Sequence, residues 1–165
     1  MTGMKKRVLI VMGSRSDLPS MEGCMKQLDD FGVDYSVRVL SAHRTPNEVI
    51  ELSKNAVDNG IQVIIAAAGG AAHLAGVLAS STPLPVIGIP IQTSALGGLD
   101  SLLSTVQMPQ GVPVATVAIG KAGARNAAIL ACQMMGLADP DLQQKIVDFK
   151  KAQAEKVLAD SVVVE

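Results

Sequence analysis

Short apolar runs alternate with longer stretches of helical period along the chain. The runs are Arg7–Met12, Tyr35–Leu40, Ile61–Ala68, Pro85–Ile89 and Val114–Ile119, several rich in Val and Ile. Runs of this length and β-branched content read as strands. Helix patterns follow each of them, at about Asp17–Phe31, Thr45 to Gly60, Ala72–Ser80, Leu99–Val106 and Ala124–Met135. A further amphipathic stretch, about Asp141–Leu158, predicts a C-terminal helix, and an apolar tail, Val162–Val164, closes the chain.

The helix starts carry their own signals. Thr45-Pro46-Asn47-Glu48 predicts a capping box, with Thr45 as the cap, Pro46 at the first helical position and Glu48 reaching back. Gly60 predicts the end of that helix.

Strand–helix units repeated in this way imply a parallel sheet with helices on both faces. The near-continuous apolar strands agree, because such strands are covered on both sides. The expected fold is a three-layer α/β/α, doubly wound, five-stranded parallel sheet plus a C-terminal helix. One domain spans 1–165, with its core at about 6–136 and the last helix at about 141–158. The length of 165 residues suits a single domain with a full core.

Composition changes the picture in two ways. Apolar residues reach 48% and mean hydropathy is positive, yet aromatics are 2% and Trp is absent. A small interior cannot hold every apolar side chain, so some are expected against other copies of the chain. Charge is nearly balanced, at −1 net, which gives no electrostatic reason to expect nucleic acid or a membrane surface as partner. Cys24 and Cys132 fall in predicted helices and have no Cys or His at ligand spacing. They read as buried free thiols of a reducing compartment, with no metal site. The basic Met1 to Arg7 precedes only the short run Val8 to Met12, too brief for a signal peptide or a span, so a cytoplasmic location is expected.

Ligands of such sheets bind beyond the carboxyl ends of the strands, so the strand-to-helix loops matter most. They are Gly13-Ser14-Arg15-Ser16-Asp17, Ser41-Ala42-His43-Arg44-Thr45-Pro46, Ala68-Gly69-Gly70-Ala71-Ala72-His73, the loop Pro90 to Gly98, and Gly120-Lys121-Ala122-Gly123. Both histidines of the chain are among them.

Each loop has a chemical reading beside a plain one. Gly13-Ser14-Arg15-Ser16 offers small residues, hydroxyls and backbone N–H groups that suit a phosphate, or it simply turns the chain. Asp17 either favours a helix start or accepts hydrogen bonds from sugar hydroxyls. Arg44 presents a planar fork to an anion, or is a structural arginine. His43 carries an imidazole, a side chain suited to proton transfer, and can carry a proton at the rim of a cleft. His73 either takes part or only orients its loop. Gly69-Gly70-Ala71-Ala72 lets backbone approach a small ligand such as a carboxylate or carbon dioxide, or makes a tight turn. Lys121 either balances a phosphate or is a surface residue.

The three loops Gly13 to Asp17, Ser41 to Pro46 and Ala68 to Leu74 resemble the signature loops of the PurE family. The segments Gln92 to Ser104, Gln107-Met108-Pro109 and Ala118 to Ala124 are similar to it as well. The resemblance runs in order from about Val8 to Lys151. Arg44-Thr45-Pro46 and the Gly-Gly-Ala-Ala-His loop resemble the mutase class. The related class that takes carbon dioxide directly has a Lys-Gly-Pro type second loop and a different third loop. Ala75 departs from the pattern, standing where the family often has Pro, and bears on local rigidity.

The resemblance implies rearrangement of 5-(carboxyamino)imidazole ribonucleotide to 4-carboxy-5-aminoimidazole ribonucleotide, a step of purine biosynthesis, with no cofactor. His43 matches the proton-transfer histidine, acting as general acid and then general base. Ser14, Ser16, Ser41 and Arg44 match positions around phosphate and sugar, and Asp17 matches the ribose contact. Gly70, Ala71 and His73 match the loop near the migrating carboxylate. The resemblance also implies a homo-octamer with a small ribonucleotide as its other partner.

Flavin carriers and phosphorelay receivers share this flavodoxin-like arrangement. A flavin carrier usually stacks aromatics on its ring, whereas Phe31, Tyr35 and Phe149 all lie outside the loops. A receiver needs acids after strand one and an acceptor Asp after strand three, where this chain has Gly13-Ser14 and Gly69-Gly70. Within the enzyme reading, the direct carboxylase is the alternative.

Overall fold

A computed structural model describes residues 6–161. The tail Val162–Val164 lies outside the described residues. Strands β1 (Val8–Met12), β2 (Tyr35–Val39), β3 (Val63–Gly69), β4 (Val86–Ile91) and β5 (Ala115–Thr116) form one sheet of order β2-β1-β3-β4-β5. Every pairing is parallel, with Val8 opposite both Tyr35 and Val63 and with Ile64 opposite Val86. The helices are α1 (Leu18–Phe31), α2 (Pro46–Lys54), α3 (Leu74–Ala79), α4 (Leu99–Val106), α5 (Gly120–Gly136) and α6 (Pro140–Ala159). This is the expected α/β/α sheet.

The period of two in the strands explains the layering. Val8, Ile10, Met12, Val63, Ile65, Ala67, Ile87 and Ile89 belong to one core cluster, together with Met21 and Leu28 of α1 and Ala127, Ala128 and Ala131 of α5. Leu9, Val11, Ile64, Ala66 and Val86 belong to the other, with Val49 of α2 and Leu74 and Leu78 of α3. The alanines of α5 let it lie close against α1 and the sheet. Helix α6 is fastened to the first core by Lys145, which donates to the Phe31 carbonyl at 2.8 Å, and by an edge-on Phe31–Phe149 contact at 5.4 Å.

Four boundaries differ from the sequence expectation. Thr45 does not cap α2 through its side chain. Its hydroxyl instead donates to the Ser41 carbonyl at 3.0 Å and accepts from the Ser41 amide at 2.9 Å, closing the preceding loop. Helix α2 stops at Lys54, because the turn-forming residues Asn55, Asp58 and Asn59 tighten the chain into turns before Gly60. Helix α5 starts at Gly120, so Lys121 and Gly123 are helical rather than loop. Strand β5 pairs only over Ala115–Thr116 at the sheet edge.

Because β1 lies between β2 and β3, the loops leaving these three strands open side by side. That is the switch point of a doubly wound sheet, where a crevice forms.

Candidate active site

The crevice encloses about 470 Å³ and is lined by Gly13, Ser14, Ser16, Asp17, Ser41, Ala42, His43, Arg44, Ala68, Gly69, Ala71, His73 and Leu74. The volume suits a small metabolite. Another cavity, of about 450 Å³, lies at the opposite end of the sheet, but its charged residues Arg7 and Asp139 neutralise each other at 2.7 Å. Only the first brings hydroxyls, a guanidinium and imidazoles together.

The first loop enters a short 3-10 turn, Arg15–Asp17, before α1. Ser14 caps this turn: its hydroxyl accepts from the Ser16 amide at 3.3 Å and from the Ser16 hydroxyl at 2.7 Å. Two hydroxyls are therefore held as a pair facing the cavity. Asp17 ends the turn and is nearly buried. Burial pushes its carboxyl above the usual carboxylate range, partly offset by hydrogen bonds from the Ser14 backbone and the Ser16 side chain.

A raised pKa makes the ionised carboxylate costly to the fold once the pH exceeds its value in the unfolded chain. Asp17→Asn is therefore expected to raise Tm at neutral pH and to leave it unchanged at low pH, where the aspartate is itself neutral. Parallel thermal melts at the two pH values check this.

The second loop is a single turn closed by Thr45, and it carries His43 and Arg44 outward. The Arg44 guanidinium donates to the Gly13 carbonyl at 3.1 Å and to the Ser41 hydroxyl at 3.3 Å, so it spans loops one and two. These contacts use part of a five-donor fork and leave further N–H groups for an anion. The phosphate reading of this corner thus has a physical basis in two hydroxyls and one guanidinium.

The third loop brings His73 to His43. His43 Nε2 lies 2.8 Å from His73 Nδ1, with the rings edge to face at 79°. One proton sits between the rings in either tautomer, and each ring keeps an outer nitrogen for exchange with a ligand. His73 precedes α3 rather than lying within it. Ala75 falls in the first turn of α3, where a helix tolerates Pro, so its presence leaves the helix start intact.

The residues expected at the site converge with one exception: Gly70 is not part of the lining. Lys121, for which two readings stood open, lies elsewhere, exposed in α5. The amides of the third loop are also committed within the protein. Gly70 N–H donates to the Ser101 hydroxyl at 2.9 Å and Ala72 N–H to the Ser104 hydroxyl at 3.0 Å. Ser101 and Ser104 were not singled out from the sequence. Their signal is a helix with Leu99, Leu103 and Val106 exposed and Ser101, Ser104 and Thr105 turned inward.

Among the described residues no group of three or more His, Cys, Asp or Glu could hold a metal ion, and no helix is long and apolar enough to cross a membrane. Burial pushes the Cys24 and Cys132 thiols up to about 12, so neither is poised for nucleophilic work.

A family model described as AIR carboxylase matches residues 7–156. The chain is 55% identical over 152 residues to the N5-carboxyaminoimidazole ribonucleotide mutase of Thermotoga maritima, covering 92% of this chain and 88% of that protein. It is 52% identical over 152 residues to the Escherichia coli protein of the same name, covering 92% and 90%. The crystal structure of Treponema denticola PurE superposes with a TM-score of 0.83 at 29% identity, covering 93% of this chain and 94% of that one.

Proposed function

The chain belongs to the AIR carboxylase family, and from that premise we propose that it isomerises N5-carboxyaminoimidazole ribonucleotide to 4-carboxy-5-aminoimidazole ribonucleotide in purine biosynthesis. The observation that carries the reading is the His43–His73 pair, 2.8 Å apart, in a cavity whose other wall is a hydroxyl and guanidinium cradle. Relatives at 52–55% identity carry the mutase name, which favours the mutase over direct carboxylation.

The chemistry uses one proton carrier twice. His43 gives a proton to the ring-substituent nitrogen as the N–carboxyl bond breaks, leaving aminoimidazole ribonucleotide and carbon dioxide. The electron-rich C4 of the ring then attacks the carbon dioxide. Loss of the C4 proton to His43 restores aromaticity and the starting protonation state. Overall, a proton moves from carbon to nitrogen and a carboxylate from nitrogen to carbon, with nothing consumed.

The residues divide the work accordingly. Ser14, Ser16, Ser41 and Arg44 hold the phosphate end, and Asp17 accepts from the ribose. Ala71 and His73 bound the space in which carbon dioxide is retained. Holding both fragments in one cavity converts a bimolecular recombination into an intramolecular one. The reaction as written needs no cofactor.

Retention also needs a cover. His43, Ala71 and His73 are exposed on the single chain, and so are Leu96, Leu99, Leu103 and Val106, which are 44–60% exposed. An apolar stripe of this kind is normally covered. Other copies of the chain supply that cover, in an octamer working in the cytoplasm.

Turnover assayed without added cofactor, with sedimentation of the same preparation, tests the reading. Conversion of the carbamate ribotide without dependence on bicarbonate, by an assembly of octamer mass, is expected. Reaction only of aminoimidazole ribonucleotide with bicarbonate would make the chain a direct carboxylase, and a monomer would remove the cover.

A further inference from the structure

The third loop carries Ala71 and His73, yet little packing holds it in place. Ala71 and His73 are exposed, only Ala72 is buried, and a Cβ added at Gly70 would meet nothing within 4 Å. Gly70 itself sits at φ 68°, and its carbonyl accepts from the Ala72 amide at 2.8 Å, which makes a tight turn. An exposed turn of this kind is ordinarily mobile.

Helix α4 supplies what packing does not. The Ser104 hydroxyl accepts from Ala72 N–H at 3.0 Å, while its one proton goes first to the Asp100 carbonyl of its own helix at 2.6 Å, with the Gly70 carbonyl a longer contact at 3.0 Å. The bond to Asp100 fixes the hydroxyl on α4, and its lone pair then holds the Ala72 end of the turn. Ser101 grips it a second time through Gly70 N–H and anchors in turn to the Ile91 carbonyl at the end of β4. Ser101 is fully buried, so its loss would disturb the fold. Ser104 is only partly buried, so water can replace its hydroxyl if it is removed.

We infer that Ser104 is a positioning residue for carboxyl transfer: it fixes the Gly70–His73 turn so that His73 meets His43 and the carbon dioxide space stays closed. The inference rests on the mutase reading for its kinetic consequence. It names α4 as the support of the reacting end of the cavity, while the phosphate end is built by loops one and two. Loss of Ser104 should thus separate the two ends. Ribotide binding should persist, while the trapped fragments recombine less often.

Ser104→Ala is expected to lower kcat about tenfold to a hundredfold, the loss associated with a misplacement near 1 Å. Affinity for aminoimidazole ribonucleotide should stay within about twofold, because the anion contacts are untouched. The fraction of cycles that release free aminoimidazole ribonucleotide should rise. Ser104→Thr, which keeps the hydroxyl, should return both quantities toward the parent.

A second readout does not depend on turnover. The chain has 2 histidines, so its nitrogen-15 imidazole spectrum is simple, and the shared His43–His73 proton should be seen in the parent and lost in Ser104→Ala. Parent activity with an unchanged partition and an unchanged histidine spectrum in Ser104→Ala would overturn the positioning role and leave the mutase reading intact. An inactive parent whose histidine pair still depends on Ser104 would overturn the mutase reading and keep the positioning role. Equal losses of ribotide affinity, kcat and Tm would make Ser104 a structural residue and overturn the inference.

Discussion

His43→Asn is expected to lower turnover at least about a hundredfold, and up to about 10⁴-fold, the range associated with a positioned acid–base group. That corresponds to about 3–5 kcal/mol of barrier. The asparagine amide can still form a hydrogen bond, but it cannot take up or release a proton near neutral pH. Both halves of the reaction fail for the same reason. No proton is given as the N–carboxyl bond breaks, and none is collected from C4.

Ribotide affinity should change little in this variant, because the contacts that place Ser14, Ser16, Ser41 and Arg44, the residues proposed to hold the anionic end, do not involve the imidazole. Steady-state kinetics beside a direct binding measurement separate these effects. Near-parent turnover in His43→Asn would remove His43 from the mechanism. Loss of binding together with turnover would mean that the imidazole holds the substrate rather than protonating it.

Gly123→Ala should produce the largest loss of stability among single methyl additions in this fold. The chain turns sharply from β5 into α5, and the turn lays the Ala118 carbonyl over the first turn of the helix. A Cβ at Gly123 would overlap that carbonyl oxygen, and the obstacle is backbone, not the end of a flexible side chain. Relief requires moving either the start of α5 or the end of the fifth strand. Helix α5 is central to the larger core through Ala124, Ala127, Ala128 and Ala131, so a shift there propagates.

Overpacking costs about 1–3 kcal/mol where side chains can yield, and at least the upper end is expected here. For a chain of this size the fall in Tm would be on the order of 6–12 °C. Thermal denaturation checks it, and a melt unchanged from the parent would show that the turn can open without cost. Residues 120–123, read from sequence as a loop, are thus the first turn of a helix whose glycines serve close approach. Of the two readings open for Lys121, its exposed place on that helix favours the surface residue.

The sheet, its layering and the edge where the candidate loops gather are legible in the order of amino acids. Val8 to Met12 and Val63 to Ala67 are unbroken apolar runs, the mark of strands covered on both faces, and in the fold their residues alternate between the two cores. The three loops were legible because Gly, Ser, Arg and His gather at the carboxyl ends of successive strands, where ligands of such sheets bind. Their family resemblance supplied the substrate, which physical reading of the residues did not.

How the polar groups choose among partners is settled by the closed fold. Thr45 had a helix to cap and closed a loop instead, since the Ser41 carbonyl and amide lie within reach of its hydroxyl. The Gly70 and Ala72 amides looked available to a ligand, but Ser101 and Ser104 take them from 31 and 32 residues further along the chain. The two histidines, thirty residues apart, become one proton-sharing pair only because β2 and β3 flank β1. Hydrophobic burial is set by the residue itself and can be read locally. A hydrogen bond is set by which donor and acceptor the fold brings within 3 Å, and that information exists only once the chain has closed on itself.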